Sequence, residues 1–131
     1  VPPIRRRRPT PRRRKAPRWT AEEWEAATGR LLRRAGFRCE RCGRGVTADT
    51  CDRHHRQRRE VGGDRFPNLL LLCGSGTTGC HGWVHANPAE ARALGMIVSS
   101  ADEVDPAEVP VRRYGGYLWL LDDLGHAKPQ P

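Results

Sequence analysis

Apolar residues along this chain fall in short blocks separated by charged or glycine-rich stretches, and the spacing inside each block predicts its element. Trp24, Ala27, Leu31 and Ala35 recur at helical spacing, so Trp19 to Ala35 reads as a helix. Thr20 and Glu23 have the spacing of a capping box, and Gly36 supplies the stop. Thr47 to Arg58 has no helical period and reads as a strand leading to a turn at Gly62-Gly63-Asp64. Asn68 to Cys73, with its run of leucines, then reads as a buried second arm. A polar loop, Gly74 to Gly79, delivers Cys80 and His81 to a short helix that ends at Asn87. Asn87-Pro88-Ala89-Glu90 is itself a helix start, and that second helix stops at Gly95. Met96 to Ser99, Val109 to Arg113 and Tyr117 to Leu121 read as short strands, the last two joined at Gly115-Gly116 as a hairpin. Gly125 to Pro131 reads as a tail.

The 131 residues suffice for a single domain, and 37% hydrophobic content implies a small core that needs a staple. Residues 1–18 carry nine positive charges and no acid, combined with proline, so they read as a disordered arginine-rich arm ahead of a domain over 19–124 with its core at 37–95. The other 113 residues hold 15 basic and 15 acidic side chains, yet positions 30–65 alone hold 11 arginines against five acids. A basic arm followed by a basic segment fits a polyanionic partner. No apolar run approaches ~18 residues and no hydrophobic signal segment opens the sequence, so the expectation is a cytoplasmic protein with no membrane partner.

Five cysteines change the picture more than the charge does. Cys39-x2-Cys42 and Cys73-x6-Cys80 form two pairs, the donor set of a tetrahedral structural zinc. Disulfides or a redox CxxC fit less well in a basic chain expected in a reducing compartment. Cys51 is left over and reads as a packing residue. Four of the five histidines, His54, His55, His81 and His85, flank these cysteines. Adjacent strand residues point to opposite faces, so His54 and His55 suit two different roles, one ligand and one base. His81 and His85 stand four apart on a short helix and share a face, as two ligands of one ion would.

Taken in order, Cys39-Glu40-Arg41-Cys42, Asp52-Arg53-His54-His55, Gly62-Gly63-Asp64, Asn68-Leu69-Leu70-Leu71-Leu72-Cys73 and Cys80-His81 resemble the HNH endonuclease pattern. Leu71 to His85 looks like the small HNH proteins of phages infecting actinobacteria. The resemblance covers residues 37–95 and leaves out the arginine arm. It implies an α+β fold: a ββα-metal finger carrying a four-cysteine zinc knuckle, with flanking helices and a C-terminal β-hairpin. It implies His55 as general base, His54 and His81 as ligands of a catalytic divalent ion (Mg²⁺, Mn²⁺, Ni²⁺ or Zn²⁺), and His85 as a further ligand. Asn68 matches the residue that braces the loop and orients the base. The departure is the six-residue spacer between Cys73 and Cys80, where most relatives have two.

The chemistry so implied is metal-dependent hydrolysis of DNA phosphodiesters, leaving 3′-hydroxyl and 5′-phosphate ends. Arg56, Arg58 and Arg59 follow the base directly and are expected to contact DNA phosphates. No recognition helix stands out, so weak sequence preference is expected, with nicking or double-strand cleavage both open. The phage-like resemblance implies a packaging role beside the terminase large subunit and portal, in the host cytoplasm. Two other readings compete: a non-catalytic zinc module that binds nucleic acid, and a restriction-type HNH nuclease, for which 131 residues leave little room for a recognition domain.

Overall fold

The computed structural model describes residues 15–101 and 104–131. Most of the arginine arm therefore lies outside the described residues. The fold is α+β, with two small antiparallel sheets and four α-helices among the described residues. Helix α1 runs Ala21–Ala35 behind Thr20, whose hydroxyl accepts from the Glu23 amide while the Glu23 carboxylate accepts from the Thr20 amide. Trp19 stacks edge-on against Trp24 at 5.0 Å, a hydrophobic staple that fixes how the chain enters the helix. Gly36 ends α1 in the left-handed conformation.

Strand β1 (Cys51–His55) pairs antiparallel with β2 (Leu69–Cys73), in a register that sets Cys51 opposite Cys73 and His55 opposite Leu69. Leu69, Leu70, Leu71 and Leu72 are all fully buried, so β2 is covered on both faces. Helix α1 and the turn carrying Cys39 contribute to that cover, as does α3 (Gly79–Ala86). Each leucine contributes about 1.5–3 kcal/mol of burial, which makes this strand the axis of a small core. Between β1 and β2 the chain forms a short helix α2 (Arg59–Gly62), where the sequence suggests only a loop.

The C-terminal half corrects three expectations. Met96 to Ser99 is not a strand; it runs across the end of the hairpin, with the Val98 amide donating to Arg56 O at 2.8 Å. Asn87 takes the expected N-cap position of α4 (Pro88–Ala93), but its side chain makes no capping bond there and instead donates backwards to Trp83 O at 2.9 Å, closing α3. Gly125 to Pro131 is not a free tail. Ala127–Pro129 forms β5, which pairs with β4 (Leu118–Leu121) and makes the expected hairpin with β3 (Val111–Arg112) into a three-stranded sheet. Among the described residues no helix is long and apolar enough to cross a membrane.

Candidate metal centres

The sulfurs of Cys39, Cys42, Cys73 and Cys80 all lie within 4.8 Å of one another, and the Cys42–Cys73 pair is at 3.8 Å. A tetrahedron with metal–sulfur bonds of about 2.3 Å has edges of about 3.8 Å, so the set fits a structural ion such as zinc. Backbone amides already point at the sulfurs, Cys73 N to Cys39 Sγ at 3.3 Å and Cys80 N to Cys73 Sγ at 3.4 Å. Arg41 donates to Cys80 Sγ at 3.4 Å and stacks 3.7 Å over Trp83. These donors offset part of the excess negative charge that four thiolates would bring to a divalent ion. Burial pushes the Cys39 thiol up and the Cys80 thiol up to about 12. Such thiols ionise only with a cation beside them, which couples the ion to the fold.

The six-residue spacer closes on itself. Ser75 and Thr78 bridge across it with backbone bonds of 3.1 and 3.3 Å, bringing Cys73 and Cys80 together. Gly74 makes this closure at φ +85°, where an added Cβ would meet Thr78 O at 2.2 Å. Cys51 stands apart from the four, half-buried and packed on the core.

A second cluster is formed by His54, His81 and His85, whose ligand nitrogens also lie within 4.8 Å of one another. Strand β1 supplies the first and consecutive turns of α3 the other two. Each of the first two rings has one nitrogen engaged from behind. His54 Nε2 bonds Met96 O at 2.8 Å, which leaves Nδ1 as its lone-pair atom. His81 Nδ1 bonds Asp52 Oδ2 at 2.9 Å, which directs Nε2 toward His85 Nε2, 3.0 Å away. A carboxylate behind a histidine whose far nitrogen meets other donors is the arrangement that orients metal ligands. Burial lowers the pKa of His54 to about 4, so its ring is neutral at physiological pH, the form a metal requires.

His55, next along β1, faces elsewhere. Its Nε2 bonds Asp64 Oδ1 at 2.9 Å, and Trp24 packs edge-on at 6.0 Å. Asp64 is buried and its oxygens also accept from Arg59 Nε and Nη2 (2.9 and 2.8 Å) and from the Trp19 amide (2.8 Å). Burial alone would raise the Asp64 pKa, but the Arg59, Trp19 and His55 hydrogen bonds and the Arg59 charge bring it below the usual carboxylate value. Asn68 is fully buried. Its Oδ1 accepts from Gln57 N at 2.8 Å, and its Nδ2 donates to Gln57 O and Gly63 O at 3.0 and 2.9 Å. Asn68 thus braces the loop between the strands, whereas the hydrogen bond to the His55 ring comes from Asp64.

The three arginines separate. Arg56 is 2% exposed and donates to the carbonyls of Gly95, Pro67, Pro106 and Val109. With Nε, Nη1 and Nη2 all engaged on carbonyls inside the fold, this guanidinium is not free for a phosphate, which corrects the surface role expected of it; it ties the β-hairpin to the C-terminal half. Arg59 is committed to Asp64, and Arg58 is the exposed member, with Glu60 at 4.0 Å its one acidic partner among the described residues. Sequence reasoning gave no role to Asp52 or Asp64; the signal was their place two residues before His54 and directly after the Gly62-Gly63 turn. The chain matches no protein-family model, and neither a curated protein nor a solved structure matches it.

Proposed function

We propose that this protein is a metal-dependent DNA endonuclease of the HNH type. The observation that carries the reading is the convergence of His54, His81 and His85, with His55, the next residue of β1 after His54, held by its own carboxylate. Two antiparallel strands followed by a helix, with four cysteines at its base, is the order expected of a ββα-metal finger. In this reading the three histidines would hold a divalent ion, and such an ion would supply Lewis-acid chemistry at a phosphate. His55 is the general base. Its Nε2–H is given to Asp64, so Nδ1 carries the lone pair that takes a proton from water. The resulting imidazolium is stabilised by the same carboxylate. Asn68 keeps the Gly63–Asp64 turn in place, and Arg58 offers the phosphate contact expected of a nuclease with weak sequence preference. A role in phage DNA packaging, with terminase and portal as partners, belongs to the same proposal.

The test is nicking of supercoiled plasmid by purified protein in Mg²⁺ or Mn²⁺, beside a His55→Ala variant shown to be folded and zinc-loaded. Cleavage that disappears in the variant supports both the activity and the base. Absence of cleavage by the unaltered protein in every divalent ion, with DNA binding intact, would favour the non-catalytic zinc module.

A further inference from the structure

A cavity among the described residues shares no residue with either metal cluster. It occupies about 750 Å³ between the second half of α1 and the C-terminal sheet. Arg30, Arg33 and Arg113 line it with the rings of Tyr114 and Trp119, and no carboxylate does. At its base, Glu40 accepts from Arg34 Nη2 at 2.7 Å and from Arg113 Nε at 3.1 Å, with all three side chains at 5% exposure or less. Two buried guanidiniums thus share one carboxylate, leaving one positive charge in excess. Buried charge without a counter-ion is costly, so a surplus facing a cavity calls for an anion. Donor capacity is left over as well. Arg34 Nε is buried without a partner, and Arg113 Nη1 has no hydrogen bond among the described residues. Arg30 and Arg33 add two exposed cations at the mouth. The acids nearest in sequence are occupied at the rim: Asp122 lies 3.8 Å from His126, and Asp123 pairs with Arg65.

The rings select among anions. The Arg113 guanidinium sits 5.0 Å from the Trp119 centroid and 5.6 Å from that of Tyr114, so cation and aromatic surfaces form one platform. Inorganic phosphate would use the arginines and leave most of the volume and both rings unused. An acidic peptide would match the charge but bring nothing to stack. A planar base joined to a phosphate matches both features, as at sites for unpaired nucleic acid. We infer that this cavity is a binding site for an unpaired nucleotide, its phosphate held by Arg33 and Arg113 and its base against Tyr114 and Trp119. Such a ligand is either a nucleotide within a single strand or a free nucleotide. The site owes nothing to His54, His55, His81 or His85, so a chain that cuts no DNA would still bind here.

The experiment uses the full chain, without added divalent ion, and a DNA single strand of about ten nucleotides carrying 5-iododeoxyuridine. Irradiation followed by peptide mapping locates the base. The expected result is a cross-link on Tyr114 or Trp119, reduced about tenfold in Arg33→Glu, a surface variant whose zinc content and thermal midpoint should equal the parent's. Because the arginine arm also binds phosphates, competitors are compared. Unmodified single strand should displace the probe, while an abasic strand and polyglutamate of equal charge should do so at least about tenfold more weakly. Displacement by thymidine monophosphate at the same concentration as the strand would assign a free-nucleotide site; displacement only by the strand would assign a strand site. Cross-links confined to other peptides, a signal unaffected by Arg33→Glu, or equal competition by the abasic strand or polyglutamate would each overturn the inference.

Discussion

Asp64 meets His55 at 2.9 Å and is the only hydrogen-bond partner of that ring among the described residues. The same carboxylate accepts from the Trp19 amide and from two nitrogens of Arg59. One buried group therefore fixes the tautomer of the proposed base, the turn after α2 and the entry into α1. Asp64→Asn keeps an oxygen but exchanges the charge for an amide whose N–H faces donors. We expect plasmid cleavage to fall about 10²-fold or more through kcat, with KM little changed, because substrate does not touch Asp64. Equal losses in kcat and in zinc content would instead mark a purely structural role.

The same contact sets an acid limit to stability. Asp64 has a folded pKa below its unfolded value, so its contribution is complete above about pH 4 and is lost as pH falls through the folded value. Urea melts between about pH 6 and 2 should show the wild-type midpoint falling more steeply than that of Asp64→Asn below about pH 4. At neutral pH the variant should be less stable by about 1–3 kcal/mol, the cost of leaving buried donors poorly matched. Parallel curves across that range would remove Asp64 from the ledger of acid stability.

The cysteine cluster predicts proton release. With Cys39 and Cys80 held protonated by burial, a divalent ion must displace protons to bind. Titrating zinc into metal-free protein in buffers of different ionisation enthalpy should reveal release of more than one proton, with affinity falling as pH drops. Binding that releases none would mean the thiolates already exist without the ion. Cys80→Ser should lose both zinc and the cooperative unfolding transition.

Much of this organisation was legible in the sequence where the cause is local. The capping box of α1 and the two cysteine pairs depend on spacing over a few residues, and the four-leucine run reads as a short buried segment. What escaped has its cause at a distance. Ala127-Lys128-Pro129 carries no strand pattern and becomes β5 only because β4 offers an open edge. Asn87 is poised between two helices, and its spacing cannot say which of them it closes. Asp64 reads as a turn residue because the ring it holds lies nine positions back.

Asp52 gives a graded test of the histidine cluster. It lies 2.9 Å from His81 Nδ1, is partly exposed, and contributes no ligand atom to the cluster. Asp52→Asn should retain fold and structural zinc while weakening binding of the second ion by about 10–100-fold, the usual effect of removing a carboxylate behind a ligand. Raising the concentration of Mn²⁺ should restore cleavage in Asp52→Asn and not in His81→Ala. If ion affinity is unchanged, the carboxylate does not orient the ring.

Arg56 and Arg58 sit two positions apart and should answer opposite questions. Among the described residues, the Arg56 side-chain hydrogen bonds all end on main-chain carbonyls of other segments, so Arg56→Leu leaves those acceptors buried and unpaired. A loss of about 3–5 kcal/mol or failure to fold is expected, and Arg56→Lys, which cannot reach four carbonyls at once, should recover only part of it. Arg58 projects into solvent, with its side chain 78% exposed. Arg58→Ala should therefore leave the urea midpoint within about 0.5 kcal/mol of wild type while lowering the slope of log affinity for DNA against log salt by about 1. The two measurements separate because one guanidinium is turned inward onto main-chain carbonyls, while the other stays in solvent where a phosphate could meet it. A variant of Arg58 that unfolds, or one of Arg56 that only weakens DNA binding, would reverse that assignment.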